Sequence, residues 1–218
     1  MNKHQKKQRF QYKPLRREDI QHIHDTSMRV LEEVGFEVLE DEALSLFRKA
    51  GAQVDDETRI VKIKEEQVHD IISTVPEQIT LYGQEDSYNI TLGAGHSYFG
   101  TGGTALYILD YKTGKRREAQ LQDLIDVIHL VNNLEHIDFM LLPTYPNEIP
   151  VEEVDVNRFY AGLQYSKKPV MGGIYTTAGI DQCIEMAEMA AGGKDALRER
   201  PNLSMIACGI SPLRVDKM

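Results

Sequence analysis

The chain has 218 residues, 41% of them hydrophobic, which is enough to bury one substantial core in one or two domains. No apolar run reaches the ~18 residues of a membrane span, and no apolar stretch follows the basic N-terminus as it would in a secretory signal. The formal net charge is −9; seven Lys and Arg residues and no acidic residue lie within 1–17, so the rest of the chain holds 18 basic against 34 acidic residues, which argues against nucleic acid as the main partner. Two cysteines, Cys183 and Cys208, provide neither a disulfide framework nor zinc-ligand spacing, and predict a protein of the reducing cytoplasm.

The first 118 residues predict a tail followed by a mixed region. The basic segment 1–17 is predicted to be a disordered, solubilising tail, in preference to a phosphate-binding arm. Helices are predicted over 18–34, 41–50 and 65–75, and strands over 59–63, 78–82, 88–92, 96–99 and 105–109. The apolar stripe of the first helix consists of Ile20, Ile23, Met28, Leu31 and Val34. Because helices and hairpins do not alternate regularly, 18–118 is predicted to be an α+β region.

From residue 119 the pattern changes to alternating helices and apolar runs. A helical stripe begins at Leu121 and reaches Leu134, and further helices are predicted over 152–165 and 180–191. Apolar runs over 137–142, 169–174 and 203–208 separate them. This alternation is typical of βαβ units with a buried parallel sheet. Three strands leave such a sheet unfinished at residue 218, so we expect the chain to be truncated.

A glycine- and threonine-rich segment lies between the two regions. Gly100-Thr101-Gly102-Gly103-Thr104-Ala105 fits the dinucleotide pattern G-x-G-x-x-G/A, but that pattern needs a helix directly after it. Here a β-branched and aromatic segment follows, which predicts a strand and hairpin and excludes the nucleotide interpretation. Two alternatives remain: the glycines allow a ligand to approach the backbone closely, or they satisfy the sterics of a tight turn.

Several motifs, taken together in order, resemble the trimethylamine methyltransferase (MttB-like) family. The motifs that carry the resemblance are Phe99 through Ala105, the Asp110 to Arg117 turn with Asp123-Leu124, Lys168-Pro169-Val170-Met171-Gly172-Gly173, and Ser204 through Cys208 with Ser211-Pro212-Leu213. The earlier segments Glu37-Val38, Gly51 through Asp55 and Val61-Lys62-Ile63 fit the start of that family. The resemblance covers nearly the whole chain from Leu15.

The resemblance implies a fold and a reaction. Family members are TIM-barrel enzymes that move a methyl group from a methylated amine to the Co(I) of a separate corrinoid protein. An eight-stranded barrel takes ~250 residues, so the resemblance implies that 119–218 holds the first βα units of an incomplete (β/α)8 barrel, and that the catalytic residues lie beyond residue 218. The substrate is a small methylated amine, either trimethylamine or a quaternary amine such as glycine betaine, as in the methylamine metabolism of methanogens. The cobalamin belongs to the partner, so no cofactor is expected in this chain, and homo-oligomerisation is left open.

The candidate substrate-binding residues follow from where a barrel places its chemistry. Active sites lie at the carboxyl ends of the barrel strands, and aromatic faces attract a quaternary ammonium, which has no proton to donate. The candidates are Tyr98, Phe99, Gly100, Thr101, Gly102, Gly103, Tyr145 and Tyr175. The alternative is that the tyrosines are amphipathic packing residues and the glycines are steric requirements.

Other polar residues receive structural interpretations. His22 and His24 are two residues apart on a predicted helix and face different ways, so no metal site is predicted. His129 and His136 are expected to be exposed, and Cys208 to be buried. Asp138 lies within an apolar run and must be either paired or functional. Asp155 is interpreted, with Glu152 and Glu153, as a charge that favours a helix N-terminus.

Two other functional classes remain open beside the methyltransferase. The chain is alternatively a non-catalytic fragment or small α/β module that binds an amine or a protein partner. It is otherwise an unrelated small α/β enzyme with a complete sheet of its own.

Overall fold

The computed structural model describes residues 13–93, 95–209 and 213–215. Its contacts divide these residues into a first unit, 13–76 with 208–209 and 213–215, and a second unit, 77–93 and 95–207. The predicted tail at 1–17 falls mostly outside the described residues, as do Ser211 and Pro212 of the C-terminal motif. The boundary at 118/119 stays a prediction. Among the described helices, none combines the length and apolar character that crossing a bilayer requires.

The described chain is mixed α/β. The helices are α1 (Arg17–Arg29, continued by a π-helical turn at Val30–Val34), α2 (Asp41–Lys49), α3 (Glu65–Ser73), α4 (Leu121–Asn132), α5 (Val151–Tyr165), α6 (Thr177–Ala191) and α7 (Lys194–Glu199). The strands are β1 (Phe36–Val38), β2 (Gln53–Val54), β3 (Ile60–Lys62), β4 (Ile79–Leu81), β5 (Ile90–Leu92), β6 (Tyr107–Leu109), β7 (Arg116–Glu118), β8 (Met140–Leu141), β9 (Val170–Gly173), β10 (Leu203–Ile206) and β11 (Arg214–Val215). The longer predicted helices and apolar runs are confirmed as elements, with shorter strands than expected.

The first unit is built on a four-stranded sheet. Its order is β11-β1-β3-β2, with β11 parallel to β1 and the other neighbours antiparallel. Val38, Leu44 and Val61 form its buried core. The apolar stripe predicted for α1 is wrong as a core face, since Met28 is buried but Ile20 and Ile23 are more than half exposed.

The second unit contains a parallel sheet of order β10-β9-β8 and two antiparallel hairpins, β4-β5 and β6-β7. Helix α5 connects β8 to β9, and α6 with α7 connects β9 to β10, so the predicted βαβ connections are confirmed. The core between sheet and helices includes Leu124 and Ile128 of α4, Leu142, and Phe159 of α5. Gly172 is required there, because a Cβ at this position would lie 2.8 Å from the Leu142 side chain and 3.0 Å from the Phe159 ring.

One face of this parallel sheet is only half-buried. Met140 and Val170 point to the helices and are buried, whereas their neighbours Leu141 and Met171 lie on the other face and are partly exposed. Parallel sheets are ordinarily covered on both faces. The described residues therefore cover the helical face well and the opposite face incompletely.

The buried side chain of Lys168 forms hydrogen bonds at the C-terminal end of α4. Its ammonium donates hydrogen bonds to the carbonyl oxygens of Val131 (2.8 Å), Leu134 (2.6 Å) and Ile137. The Val131 carbonyl belongs to the last turn of α4, where the helix dipole favours a cation, and the other two carbonyls belong to the segment that leads to β8. Burial lowers the pKa of the Lys168 ammonium, and the nearby Asp138 carboxylate opposes that shift.

Several short elements differ from the sequence expectations. The strand predicted over 96–99 is not formed, and β1, β2, β11 and α7 were not predicted. The hairpin expected at 105–109 is formed, and its second strand is β7. β7 reads Arg-Arg-Glu, and its pairing with Tyr107–Leu109 depends on the hairpin turn at Gly114 (φ +67°), since charged residues alone carry little strand signal.

Arg117 connects this hairpin to the start of α4. Its guanidinium donates to both carboxylate oxygens of Asp123 at 2.8 Å and to Asp110 at 3.3 Å. Asp123 also accepts the Gln120 backbone N–H at 2.8 Å, which caps the helix. The hydrogen bonds from Arg117 hold the pKa of the Asp123 carboxyl below its usual range.

We predict that Arg117→Gln reduces stability at neutral pH more than at acidic pH. Asp123 has a lowered pKa in the folded state, so its contribution is present above the unfolded pKa of about 3.9 and is lost as pH falls through the folded value. Urea unfolding between pH 7 and pH 3 measures the difference between variant and parent, which should shrink on acidification. Arg198→Gln, at an exposed pair with Asp195, is the control and should leave the pH profile unchanged; a constant Arg117→Gln deficit at every pH would contradict the prediction.

Candidate functional site

The glycine-threonine segment lies along the free edge of β8. Parallel bridges join Gly100 to Phe139 and Ala105 to Thr144, and both pairs are 39 residues apart in sequence. The Ala105 N–H donates to the Pro143 carbonyl at 2.7 Å, and the Tyr145 N–H donates to the Ala105 carbonyl at 3.0 Å. Segment 99–105 therefore occupies the position of a fourth parallel strand, with Phe99 at the amino end of β8 and Ala105 beyond its carboxyl end.

The glycines of this segment have different environments. A Cβ on Gly100 would collide with the Phe139 ring, whereas one on Gly102 would meet nothing within 4 Å. Thr101 anchors the segment by donating from its hydroxyl to the Leu141 carbonyl at 2.5 Å. Gly100 is therefore a position where a larger residue would not fit, whereas Gly102 faces open space.

Two tyrosines meet at the carboxyl ends of β8 and β9. The rings of Tyr145 and Tyr175 are 5.3 Å apart and nearly perpendicular, at 82°. The Tyr175 hydroxyl donates to Thr104 Oγ1 at 3.0 Å, so the glycine-threonine segment also fixes this ring. Edge-to-face pairs of this kind add ~1 kcal/mol beyond the area they bury.

A buried arginine on α5 forms hydrogen bonds with the ends of β8 and β9 and with the glycine-threonine segment. The Arg158 guanidinium, on α5, donates to the carbonyl oxygens of Thr144 (3.0 Å), Gly173 (3.1 Å) and Leu142 (3.1 Å), and to Thr104 Oγ1 at 3.3 Å. Arg158 is fully buried, and burial lowers the pKa of its guanidinium. The guanidinium carbon lies 5.1 Å from the centre of the Tyr175 ring.

Asp155, one turn earlier on α5, fixes the loop that follows β9. Its carboxylate accepts the backbone N–H groups of Tyr175 (3.0 Å) and Thr176 (2.9 Å) and the Thr176 hydroxyl (3.1 Å). Thr176 in turn accepts the Gly179 N–H at 3.0 Å and caps α6. Asp155, interpreted from the sequence as a charge that favours a helix N-terminus, is fully buried and has the groups of this loop as its partners.

The sequence candidates separate into two groups along the strands. Tyr145 and Tyr175 lie together at the carboxyl ends, while Tyr98 and Phe99 lie near the amino end of β8, where the Phe99 N–H donates to Asp138 at 2.9 Å. Six residues of chain separate these two levels, which span at most about 20 Å when fully extended. Asp138 is thus paired, and Gly100, Thr101, Gly102 and Gly103 run between the two levels.

Thr104, Asp155 and Arg158 were not predicted as site residues. A signal for two of them existed: Asp155 and Arg158 are three apart on α5 and therefore on one face, beside the apolar Val154 and Phe159. Ionisable residues inside an apolar face must be paired or functional.

The exposure of the histidines and cysteines can be compared with the sequence predictions. His129 and His136 are exposed as predicted, whereas Cys208 is exposed and the expectation that it is buried is wrong. Cys183 is buried in the second unit, and burial raises the pKa of its thiol to about 12. The Cys183 thiol is therefore protonated at neutral pH and a poor nucleophile.

A cavity of about 610 Å³ lies at the opposite ends of the strands from the tyrosine pair. It is lined by residues near the start of β9, including Lys168 and Val170, by the end of α5, and by Arg200. Arg200 is already engaged there, donating to the Gly83 carbonyl at 2.9 Å and to Asp86 at 2.7 Å. Because ligands of parallel α/β sheets bind at the carboxyl ends of the strands, we take Tyr145 and Tyr175 as the candidate site in preference to this cavity.

Comparison with known proteins identifies relatives along the whole chain. Residues 2–218 match the family model described as "Trimethylamine methyltransferase (MTTB)". The chain is similar to trimethylamine methyltransferase MttB of Desulfitobacterium hafniense strain DSM 10664 / DCB-2, with 30% identity over 91% of this chain and 40% of the relative. It is also similar to glycine betaine methyltransferase of Desulfitobacterium hafniense strain Y51 (28% identity, 94% of this chain, 43% of the relative) and to MttB of Methanosarcina thermophila (27%, 91% and 42%). The chain thus spans about two fifths of the length of these relatives.

We predict that Arg158→Lys destabilises the second unit by about 2 kcal/mol. A lysine ammonium presents its donors from one atom and cannot reach four acceptors spread over three segments, so buried carbonyls lose their partners. Urea unfolding followed by circular dichroism measures the loss. Arg198→Lys is the matched exposed control and should change the free energy of unfolding by less than about 0.5 kcal/mol; equal effects of the two variants would contradict the role given to Arg158.

We predict that Gly100→Ala costs about 1–3 kcal/mol, because the added methyl group overpacks against Phe139. Gly102→Ala should cost less than about 0.5 kcal/mol, since its surroundings are open and its backbone is outside the left-handed region. Combining Gly100→Ala with Phe139→Leu in a double-mutant cycle should recover much of the loss. Additive effects would show that the ring is not the cause.

Proposed function

The chain belongs to the trimethylamine methyltransferase (MTTB) family, and from that premise we propose that it is part of an enzyme that transfers a methyl group from a small methylated amine to the Co(I) of a partner corrinoid protein. The substrate is trimethylamine or a quaternary amine such as glycine betaine. The corrinoid is carried by the partner, so this chain needs no ligand for cobalt.

The proposed architecture is the beginning of a (β/α)8 barrel. Segment 99–105, β8, β9 and β10 run parallel and in that order, and α5 and α6 pack on one side. The half-buried opposite face, with Leu141 and Met171, supports a sheet that further strands would close into a barrel, with the side chains of this face filling the interior. In such a barrel the tyrosine pair stands at the rim that carries the chemistry.

The observation that carries the proposal is the fixed pair of Tyr145 and Tyr175 at the carboxyl ends of adjacent parallel strands. Aromatic faces attract a methylated ammonium without needing a proton from it, at roughly 0.5–2 kcal/mol per ring. Arg158 is close to the Tyr175 ring, so the substrate would use Tyr145 and the remaining face of Tyr175. The charge of Arg158 is opposed by its four acceptors and by Asp155 one helical turn away.

Thr104, Asp155 and Tyr175 would contribute to the reaction by orienting the amine. Thr104 and Asp155 hold the Tyr175 side chain and backbone, so the amine would bind against a preorganised wall. The N-methyl carbon would then face the open side of the site, toward the partner, and the neutral amine would leave with the electron pair of the broken C–N bond. A quaternary amine already has this leaving group, whereas trimethylamine needs activation.

We predict that Tyr145→Ala and Tyr175→Ala each weaken amine binding about two- to thirty-fold, while Tyr98→Ala leaves it unchanged. Calorimetric titration with trimethylamine and glycine betaine measures the affinities. The carbon isostere of glycine betaine, 3,3-dimethylbutanoate, should bind far more weakly because it lacks the positive charge. Equal loss in Tyr98→Ala, or equal binding of the isostere, would contradict the assignment of the site.

Methyl transfer is tested on the protein purified from its source cells, mixed with Co(I) corrinoid protein and each amine. Appearance of methyl-Co(III) in the absorption spectrum supports the enzyme, and the productive amine identifies its substrate. Tyrosine-dependent binding without any transfer would instead favour an amine-binding module.

A further inference from the structure

Two histidines and a glutamate from two helices meet in the first unit. His24 lies on α1, and Glu65 and His69 lie on α3. One ligand atom from each of the three side chains falls within 4.8 Å of the others. The sequence comparison of His24 with His22 missed this arrangement, because the partners of His24 are on another helix.

The spacing of the three groups suits a tetrahedral metal ion. Zinc binds imidazole nitrogen and carboxylate oxygen at about 2.0–2.2 Å, so two ligand atoms of one tetrahedron lie about 3.4 Å apart. His69 Nε2 and Glu65 Oε1 are 3.4 Å apart. The His24 and His69 rings are tilted by 52° with centroids 5.6 Å apart, and a ligand atom of His24 lies within 4.8 Å of the other two, so metal binding would draw this imidazole closer to reach the tetrahedral spacing.

An ordinary helical ion pair explains only part of this arrangement. Glu65 and His69 are four residues apart on α3, and such pairs are common on exposed helix faces. That explanation does not account for His24, which belongs to α1 and sets a second imidazole against the first. Two imidazoles and one carboxylate are ligands of zinc-type ions, and three protein ligands leave one coordination position open.

The helices that carry the three ligands are anchored independently of them. The Ile63 N–H donates to the Leu31 carbonyl at 3.1 Å, which ties the π-helical turn after α1 to the link between β3 and α3. Gln67 on α3 donates to the Gly51 carbonyl at 2.8 Å and accepts the Lys64 N–H at 3.1 Å. The ligand backbones are thus held in place before any ion binds.

We propose that His24, Glu65 and His69 bind one divalent transition-metal ion of the zinc type, which joins α1 to α3. The site lies in the first unit, and it stands apart from the methyl transfer proposed for the second unit. Its role is to stabilise the packing of these helices, since an ion that binds only the folded state shifts the unfolding equilibrium by mass action.

The test uses the full chain in a Cys208→Ser background, which removes an exposed thiol that could bind zinc by itself. Titration with Zn²⁺ should show one equivalent bound and a raised melting temperature, reversed by a chelator. Co²⁺ in the same site should give the visible absorption of tetrahedral coordination. His24→Asn and His69→Gln should each lower the affinity at least about tenfold.

His22→Asn is the matched control, because His22 is an exposed histidine of the same helix outside the cluster. It should leave affinity, stoichiometry and melting temperature unchanged. Failure of the parent chain to bind Zn²⁺ or Co²⁺, or binding that survives in both His24→Asn and His69→Gln, would overturn the proposal. Circular dichroism of each variant without metal shows whether it is folded, so that loss of binding is not confused with unfolding.

Discussion

The second unit depends on the hydrogen bonds of one buried guanidinium. Arg158 ties the carbonyls at the ends of β8 and β9 to Thr104 of the glycine-threonine segment, so three stretches of chain that are distant in sequence meet at one group. Irregular backbone at a strand end leaves carbonyls without ladder partners, and a buried carbonyl without a partner costs about 1–3 kcal/mol. A planar group with donors on three atoms satisfies several such carbonyls at once. The position of Tyr175, and with it the candidate site, follows from that arrangement.

Two buried cations mark the opposite ends of the same layer. Arg158 binds carbonyls at the carboxyl ends of the strands, and Lys168 binds carbonyls of the last turn of α4 and of the segment between α4 and β8. In each case burial opposes the charged form, and several oxygen acceptors compensate. The apolar core between α4, α5 and the strands provides most of the driving force, and the two cations satisfy the polar backbone that this core encloses.

Sequence patterns predicted the parts of this fold that repeat and missed the parts that are specific. The stripe of α4, with Leu124, Ile128 and Val131 buried, and the apolar runs that became β8, β9 and β10 were recognisable, because burial imposes a period on a helix and continuity on an inner strand. Segment 99–105 was recognised as rich in glycine, but its pairing with β8 is a relation across 39 residues that no local pattern contains. The same limit applies to the site. Tyr145 and Tyr175 could be proposed from their positions after strands. The burial of Asp155 could not be predicted, because the sequence near a helix start is the same whether a carboxylate there faces solvent or a neighbouring loop.

The glycine-threonine segment combines a steric and a functional role in one stretch. Gly100 lets the backbone lie against Phe139, and Thr101 locks the segment to Leu141, so the chain is held along β8 until Thr104 reaches the rim. There Thr104 accepts from both Tyr175 and Arg158 through the same oxygen. A hydroxyl oxygen with two lone pairs can accept both, and replacing it with a methyl group would remove the acceptor of the Tyr175 hydroxyl and one of the four acceptors of Arg158. Close packing at one end of the segment is therefore what allows a single hydroxyl at the other end to orient the aromatic wall.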